Sequence, residues 1–467
     1  MDQGREGLRS TFEWKIMLIQ RITIENVRCF EKVDLDMRRP DGSLAGFTVL
    51  AGRNGSGKTT LLKCFALAAF GPLLALNLEP GLGSWIRKTS GHRKLGPGKI
   101  QANVDGASLF GIEIPNQDLN IRPIVGSVTL SEMAEALFSG VEKNHLSRLK
   151  SFEFIETFIQ RDLDQRKQVV LMAYGSNRRL LGTGPEAQKL SDGSSEIGRV
   201  ANLFREDVSL AESVNWLREE VYLRRLEGST SHADLEKTVL ALLDDGLLPD
   251  GTKVESVDSE GLWVLQNGLR LNLRELSDGY RTVAALVLDI VRHLHGAYGD
   301  LSIERSGRRK KVRVLNEAVV LIDEIEMHLH VSWQRRIGFW LKEHFPAIQF
   351  IVTTHSPFVC QAADPGGLIR LPAPGEKRSA ERVSDALYYT VINGSLDEAV
   401  LSELFGIETL YSPPAEELRE DVADLEAKLI AGNGTAADRK KLATLRKRLP
   451  SSMSSDVEIA VRSLGRK

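Results

Sequence analysis

Between residues 52 and 59 the chain reads Gly52-Arg53-Asn54-Gly55-Ser56-Gly57-Lys58-Thr59, which fits the P-loop pattern in full. The chemistry that needs this pattern is the cradling of a polyphosphate. Glycines let the backbone fold tightly, so that several N–H groups point at one anion. A helix beginning near Lys58 adds the positive end of its dipole. Lys58 is then placed for the β- and γ-phosphates, the Thr59 hydroxyl for Mg²⁺, and the backbone N–H of Thr60 for the α-phosphate side. The expected ligands are ATP and Mg²⁺, and Gly52 through Thr60 form the expected binding loop. A chance glycine turn is the rival reading, and a preceding strand and following helix weigh against it.

Three further groups could complete such a site. Val319-Val320-Leu321-Ile322 runs into Asp323-Glu324, so two carboxylates leave the C-terminal end of a buried strand, where ligands of open α/β sheets collect. Asp323 is the candidate Mg²⁺ ligand, through water, and Glu324 the candidate for polarising the attacking water. His355 leaves the next apolar run and could reach the γ-phosphate. Leu276-Ser277-Asp278-Gly279-Tyr280-Arg281 precedes a long helical run. A serine and a glycine at a helix N-terminus make a second anion-binding device, although a simple serine N-cap has the same residues. One phosphate cannot sit on both helix ends of one chain, so the economical arrangement has this device face the nucleotide of another copy.

The elements that must position these groups follow from periodicity. Strands are expected at 22–27, 33–37 and 47–51, then a helix over 60–70 inside an apolar stretch that reaches Leu78 as a helix and turn despite Pro72. Weaker strand patterns cover 99–104 and 108–114. A helical stretch carries Leu137, Val141, Leu146 and Leu149, a buried strand covers 168–173, and 191–195 is a loop. Helices are expected at 210–226 and 233–243, and a hairpin turns at Asn267-Gly268, a type I′ signal. A long helix covers 281–294. The apolar runs 318–322 and 349–353 suit a buried parallel sheet, with a helix at 333–342 between them. Leu418, Val422, Leu425 and Leu429, spaced four, three and four over 416–430, and Leu442, Leu445 and Leu449 over 437–449 give a short helical hairpin.

Together these motifs resemble those of the ABC ATPases: a P-loop, an LSGGQ-like signature at 276–281, an acidic pair and a switch histidine in family order. The resemblance covers residues 18–70 and 270–372 and is nearest the SMC, RecF and OLD group. Leu276–Arg281, Glu326-Met327-His328-Leu329-His330, Ile351–Pro357 and Tyr174-Gly175 followed by Arg178-Arg179 look like the small ATPases of bacterial anti-phage systems, of the Septu and retron-associated types. The resemblance implies ATP hydrolysis, with Lys58, Glu324 as catalytic base and His355 as switch. It also implies Ser277 and Gly279 on the γ-phosphate across a homodimer or higher oligomer, and 326–330 as the loop by which two sites sense each other. It further implies a separate effector, a nuclease or toxin, as partner. Asp278 stands where transporters have glycine, Ile325 where many relatives have proline, and the Q-loop residue is unassigned between Gln168 and the 174–177 turn.

The expected fold is α/β: a P-loop ABC ATPase head with a mixed sheet, a compact inserted lid of strands and helices, and a C-terminal helical hairpin. Its expected parts are a first head lobe (18–80), the lid (81–269), a second head lobe (270–372) and a polar helical region (373–467). The 467 residues are 42% hydrophobic and 27% charged with a net charge of −2, so no global basic field calls for nucleic acid. DNA contact would rest on the local cluster Arg305-Ser306-Gly307-Arg308-Arg309-Lys310-Lys311. Cys29, Cys64 and Cys360 show no CxxC spacing, the first fifteen residues show no signal-peptide core, and no apolar run suits a membrane span, which together point to the cytoplasm. His328 and His330 with Glu326 form a weak metal-site pattern. No acidic strand after His355 suggests a fused nuclease. Two rival functions remain: a RecF-like DNA repair ATPase, and an ATP-bound scaffold with little turnover.

Overall fold

The apolar runs at 47–51, 318–322 and 348–354 lie side by side because strands buried on both faces can satisfy their backbone only through each other. The computed structural model describes residues 18–79, 81–88, 97–104, 109–114, 122–125, 128–129, 170–178, 196–248, 251–306 and 311–449. The helix expected around Leu137–Leu149, the loop at 191–195, Gln168, Arg179 and most of the basic cluster at 305–311 lie outside the described residues. Among the described residues no helix is long and apolar enough to cross a membrane.

The strands are β1 (Ile19–Val27), β2 (Phe30–Asp36), β3 (Phe47–Ala51), β4 (Gly98–Val104), β5 (Leu109–Ile114), β6 (Arg122–Val125), β7 (Val128–Thr129), β8 (Leu171–Tyr174), β9 (Lys253–Asp258), β10 (Gly261–Gln266), β11 (Leu269–Asn272), β12 (Ile303–Ser306), β13 (Lys311–Val314), β14 (Ala318–Ile322), β15 (Ile348–Thr354), β16 (Leu368–Arg370) and β17 (Glu381–Arg382). The central sheet has the order β17-β16-β3-β15-β14-β8 and is parallel except for β17. A second sheet, β2-β1-β4-β5-β6-β7, is antiparallel throughout.

Helix α1 (Lys58–Leu78) packs against β4 and β5 of one sheet and β14 and β15 of the other. Leu61, Leu62, Phe65, Ala66 and Leu67 are all fully buried. A helix covered on both sides has no polar face to show, which is why its sequence is apolar all round. It continues unbroken through Pro72, where a turn was expected. Ala68 and Ala75, before and after the proline, are both buried, and this two-sided packing offsets the roughly 3 kcal/mol that an interior proline costs.

Helix α2 (Ala211–Trp216) passes into a π-helical stretch at Leu217–Leu223, and α3 (Thr230–Asp244) follows. The β10–β11 hairpin turns at Asn267 (φ 51°) and Gly268 (φ 81°), both left-handed as a type I′ turn requires. Helix α4 (Asp278–Tyr298) buries Val283, Leu286, Val287 and Ile290 in the core. The helix expected over 333–342 is two pieces, α5 (Val331–Gln334) and α6 (Ile337–His344). The turn between them brings Gly338 so close to β3 that an added Cβ would lie 2.5 Å from Ala362 Cβ and 3.1 Å from Phe47 Cζ.

The chain divides into two compact units, Met1–Gly406 and Ile407–Lys467. In the second, α7 (Pro413–Ile430) and α8 (Ala436–Arg446) form a hairpin. Val422 meets Leu442 and Leu445 along its seam, flanked by Leu418, Leu425 and Leu429. A reciprocal cap between Thr435 and Asp438 starts α8.

Candidate functional site

The loop between β3 and α1 wraps where a side chain would not fit. Gly57 has φ 88°, and a Cβ there would lie 2.5 Å from Cys29 Sγ and 2.6 Å from Phe30 Cζ. The β1–β2 turn therefore forms the wall against which the loop folds. Lys58 Nζ donates to the carbonyls of Gly52 (2.8 Å) and Arg53 (3.1 Å). Burial pulls the Lys58 ammonium below the usual lysine range, while Glu324, Asp323 and Glu326 oppose that shift. The Arg53 side chain takes another course, donating to the Gly406 carbonyl at 2.5 Å. Ser56 is 3% exposed and, among the described residues, its hydroxyl has no hydrogen-bond partner. A buried donor without a partner, inside a loop of converging N–H groups, fits a phosphate oxygen.

The acidic pair is held from three directions. Thr59 Oγ1 donates to Asp323 Oδ2 at 2.8 Å and Thr353 Oγ1 to Asp323 Oδ1 at 2.6 Å. The Glu324 N–H donates to Thr353 Oγ1 at 2.7 Å. Paired oxygens of Thr59 and Asp323 suit a hard cation such as Mg²⁺. Among the described residues no cluster of three or more His, Cys, Asp or Glu could hold a metal, His328 and His330 included. Glu324 has φ 43°, a left-handed conformation rarely adopted by a non-glycine residue. Burial, then the charges of Asp323 and Glu326, push its carboxyl above the usual range against the pull of Lys58 and Arg178. A carboxylate of raised basicity beside a P-loop can take or polarise a water proton.

Glu326 ties this turn to the end of β15. Thr354 Oγ1 donates to its Oε2 at 2.7 Å, and the His355 N–H to its Oε1 at 2.5 Å. Burial, then Lys58, depress the His355 imidazole, which favours the neutral ring. Hydrogen bonds thus join Thr59, Asp323 and Glu324 through Thr353, while Glu326 holds the His355 backbone.

Ser277 and Gly279 lie elsewhere. Ser277 is the exposed N-cap of α4, and its side chain makes no cap hydrogen bond. Gly279 packs on the 326–330 loop, where an added Cβ would lie 2.6 Å from the His328 carbonyl oxygen. Beside them is a cavity of about 460 Å³, lined by Leu247, Tyr280, His328 and Trp333 among others and by no P-loop residue.

Two side chains that the sequence offered only inside family-like motifs have positioning roles it did not assign. One is Thr353, whose signal was a hydroxyl at the end of an otherwise apolar strand. The other is Arg178, 2% exposed, on the turn after β8. Its Nη1 donates to the carbonyls of Gly175 (2.8 Å) and Asp323 (2.6 Å), and its Nη2 to those of Glu324 (2.9 Å) and Ile325 (3.4 Å). An arginine four residues beyond a buried strand was the available signal, but nothing local says that β8 lies beside β14.

A parallel sheet with a P-loop at the end of β3 and a braced acidic pair at the end of β14, two strands away, is the arrangement of a P-loop ATPase domain. The chain belongs to the family described as "AAA domain, putative AbiEii toxin, Type IV TA system", which it matches over residues 47–361, well over half its length. Residues 17–70 also match the AAA ATPase domain family. The chain is 27% identical over 356 residues to the Septu protein PtuA of Bacillus mycoides (strain KBAB4), an alignment covering 76% of this chain and 40% of that protein. It is 33% identical over 181 residues to the retron Ec83 probable ATPase of Escherichia coli, covering 39% of this chain and 30% of that protein. The match thus spans less than half the length of either relative. A solved SMC head bound to the C-winged helix domain of ScpA aligns at 14% identity and a TM-score of 0.46, covering 79% of this chain and 99% of that one.

Proposed function

We propose that this protein is a regulatory ATPase that pairs through bound nucleotide and governs a separate effector, a nuclease or toxin, in anti-phage defence. The observation that carries the ATPase reading is the Thr59–Asp323–Thr353–Glu324 chain of hydrogen bonds beside the P-loop, which fixes the Asp323 carboxylate and the backbone of Glu324. ATP is the substrate. Its β- and γ-phosphates take the loop N–H groups, Lys58 and the Ser56 hydroxyl. Thr59 and Asp323 hold Mg²⁺, which when bound supplies charge to the phosphate oxygens. Glu324 draws the proton from the attacking water, and His355 marks the γ-phosphate. Phosphoryl transfer asks for positioning and charge stabilisation more than covalent chemistry, which suits such a site.

Pairing rests on Ser277, exposed at the N-terminus of α4 and making no cap hydrogen bond. The likeness to Septu PtuA and to retron ATPases supports the defence role and the separate effector. Two variants test the reading. Glu324→Gln is expected to lower phosphate release about 10²–10⁴-fold while ATP binding persists; unchanged release removes Glu324 from the chemistry. Ser277→Arg is expected to abolish turnover and ATP-induced pairing while one chain still binds ATP. Normal turnover in that variant refutes a site shared between copies.

A further inference from the structure

The geometry points to Arg178 as a positioning residue that locks the backbone of the Glu324 turn and ties it to the signature helix α4. The inference rests on the ATPase reading and adds how that site is regulated. Within the 323–328 turn Glu324 (φ 43°) and His328 (φ 66°) have positive φ, and Glu324 is the one beside Asp323. Such a backbone persists only where its surroundings over-determine it. The Thr353 hydroxyl holds the Glu324 N–H, and the Arg178 guanidinium holds the Glu324 carbonyl together with those on either side. One planar fork therefore fixes three successive peptide units, which a lysine, with its single nitrogen, cannot do.

Ordinary burial of an arginine does not account for this site. Among the described residues its direct acceptors are all carbonyls, with no carboxylate in hydrogen-bond contact. Burial brings its pKa down to about 10, with Asp323, Glu326 and Glu324 nearby opposing the shift. A hydrophobic residue would fill the volume at lower cost, yet it would free the turn that aims the Glu324 carboxylate.

The second connection lies on the other side of the residue. Thr282 Oγ1, buried on α4, donates to the Arg178 carbonyl at 3.5 Å. Thr282 lies about one and a half helical turns beyond Ser277. A shift of the exposed end of α4, as a second copy settles on Ser277, is therefore passed through Thr282 and Arg178 to the peptide units around Glu324.

Three measurements on the full chain test this: steady-state phosphate release, equilibrium binding of a fluorescent ATP analogue, and hydrogen exchange of the backbone over 323–329. Arg178→Lys keeps the charge and loses the fork. It is expected to lower kcat about 100-fold, as a misplacement near 1 Å does, with KM and analogue affinity within threefold and exchange over 323–329 at least tenfold faster. Thr282→Val keeps the volume and removes one hydrogen bond; it is expected to lower kcat about fivefold with analogue affinity unchanged, and it serves if the Arg178 variant does not fold. Wild-type kcat in either folded variant, or unchanged exchange in Arg178→Lys, overturns the inference. If the wild type releases no phosphate, the ATPase reading fails, and exchange over 323–329 still decides whether Arg178 locks the turn.

Discussion

Gly279 lies in the first turn of α4, where helix propensity and packing make opposite predictions for an alanine. Propensity alone favours alanine over glycine in a helix by about 1 kcal/mol. Packing forbids it, because the added Cβ would sit 2.6 Å from the His328 carbonyl oxygen, a backbone atom that cannot rotate aside. Reaching ordinary contact at 3.4 Å requires a movement of about 0.8 Å, by α4 or by the loop. The helix is anchored by Val283, Leu286, Val287 and Ile290 in the core, so the loop gives way. That loop contains Glu326, whose carboxylate holds the His355 N–H and the Thr354 hydroxyl. A displacement near 1 Å at a catalytic group costs about 10²-fold in rate. Gly279→Ala is therefore expected to leave the thermal midpoint within a few degrees of wild type, since the gain in propensity offsets much of the strain. Phosphate release should fall between ten- and a hundredfold, with binding of ATP by a single chain unaffected. Steady-state phosphate release, with a thermal melt on the same preparation, checks both halves. A variant that melts several degrees higher and turns over normally refutes the reasoning, because it means that the contact with His328 bears no load.

Stability should fall with acid well before the carboxylates titrate. His293 and His344 are held below the usual imidazole range, mainly by burial, so below about pH 6.5 the unfolded chain binds protons that the folded chain refuses. Each imidazole that stays neutral removes about 1.4 kcal/mol per pH unit below that point, a loss that urea midpoints at pH 7.5 and 5.5 will register; equal midpoints count against it. Phe350, fully buried in β15 with its ring centroid 5.9 Å from that of Phe47 and 6.5 Å from that of Phe345, should cost about 3–5 kcal/mol as Phe350→Ala and under about 1.5 kcal/mol as Phe350→Leu, read from the same urea transitions.

What the sequence made legible was chemistry confined to consecutive residues. The P-loop is such a case: its glycine positions, its lysine and its threonine act through spacing along one turn. Asn267-Gly268 is another, since both residues tolerate the positive φ that the turn adopts. β14 and β15 were readable because burial on both faces leaves an unbroken apolar run. The residues whose roles escaped act across strands. Arg178 matters because β8 pairs with β14, and Thr353 because β15 pairs with β14 on the other side; neither pairing is written locally. The continuity of α1 past Pro72 was missed for the same reason, because the packing that carries it comes from two sheets.

The surface around Ser277 reaches the reacting groups by two separate routes. One runs from Gly279 to the His328 carbonyl, through the loop to Glu326, and on to the His355 backbone. The other runs from Thr282 to the Arg178 carbonyl and through its guanidinium to Glu324. A helix N-terminus can take an anion, and under the proposed function the triphosphate of one chain sits at the N-terminus of α1. Under the proposed pairing, the γ-phosphate of a second copy would supply an anion for α4 with no new chemistry. Binding it would then do two things at once, since the contact that closes the pair is the contact that sets both the base and the histidine. On that proposal, an ATPase built this way would stay quiet as a single chain, its base and histidine awaiting alignment even with ATP bound.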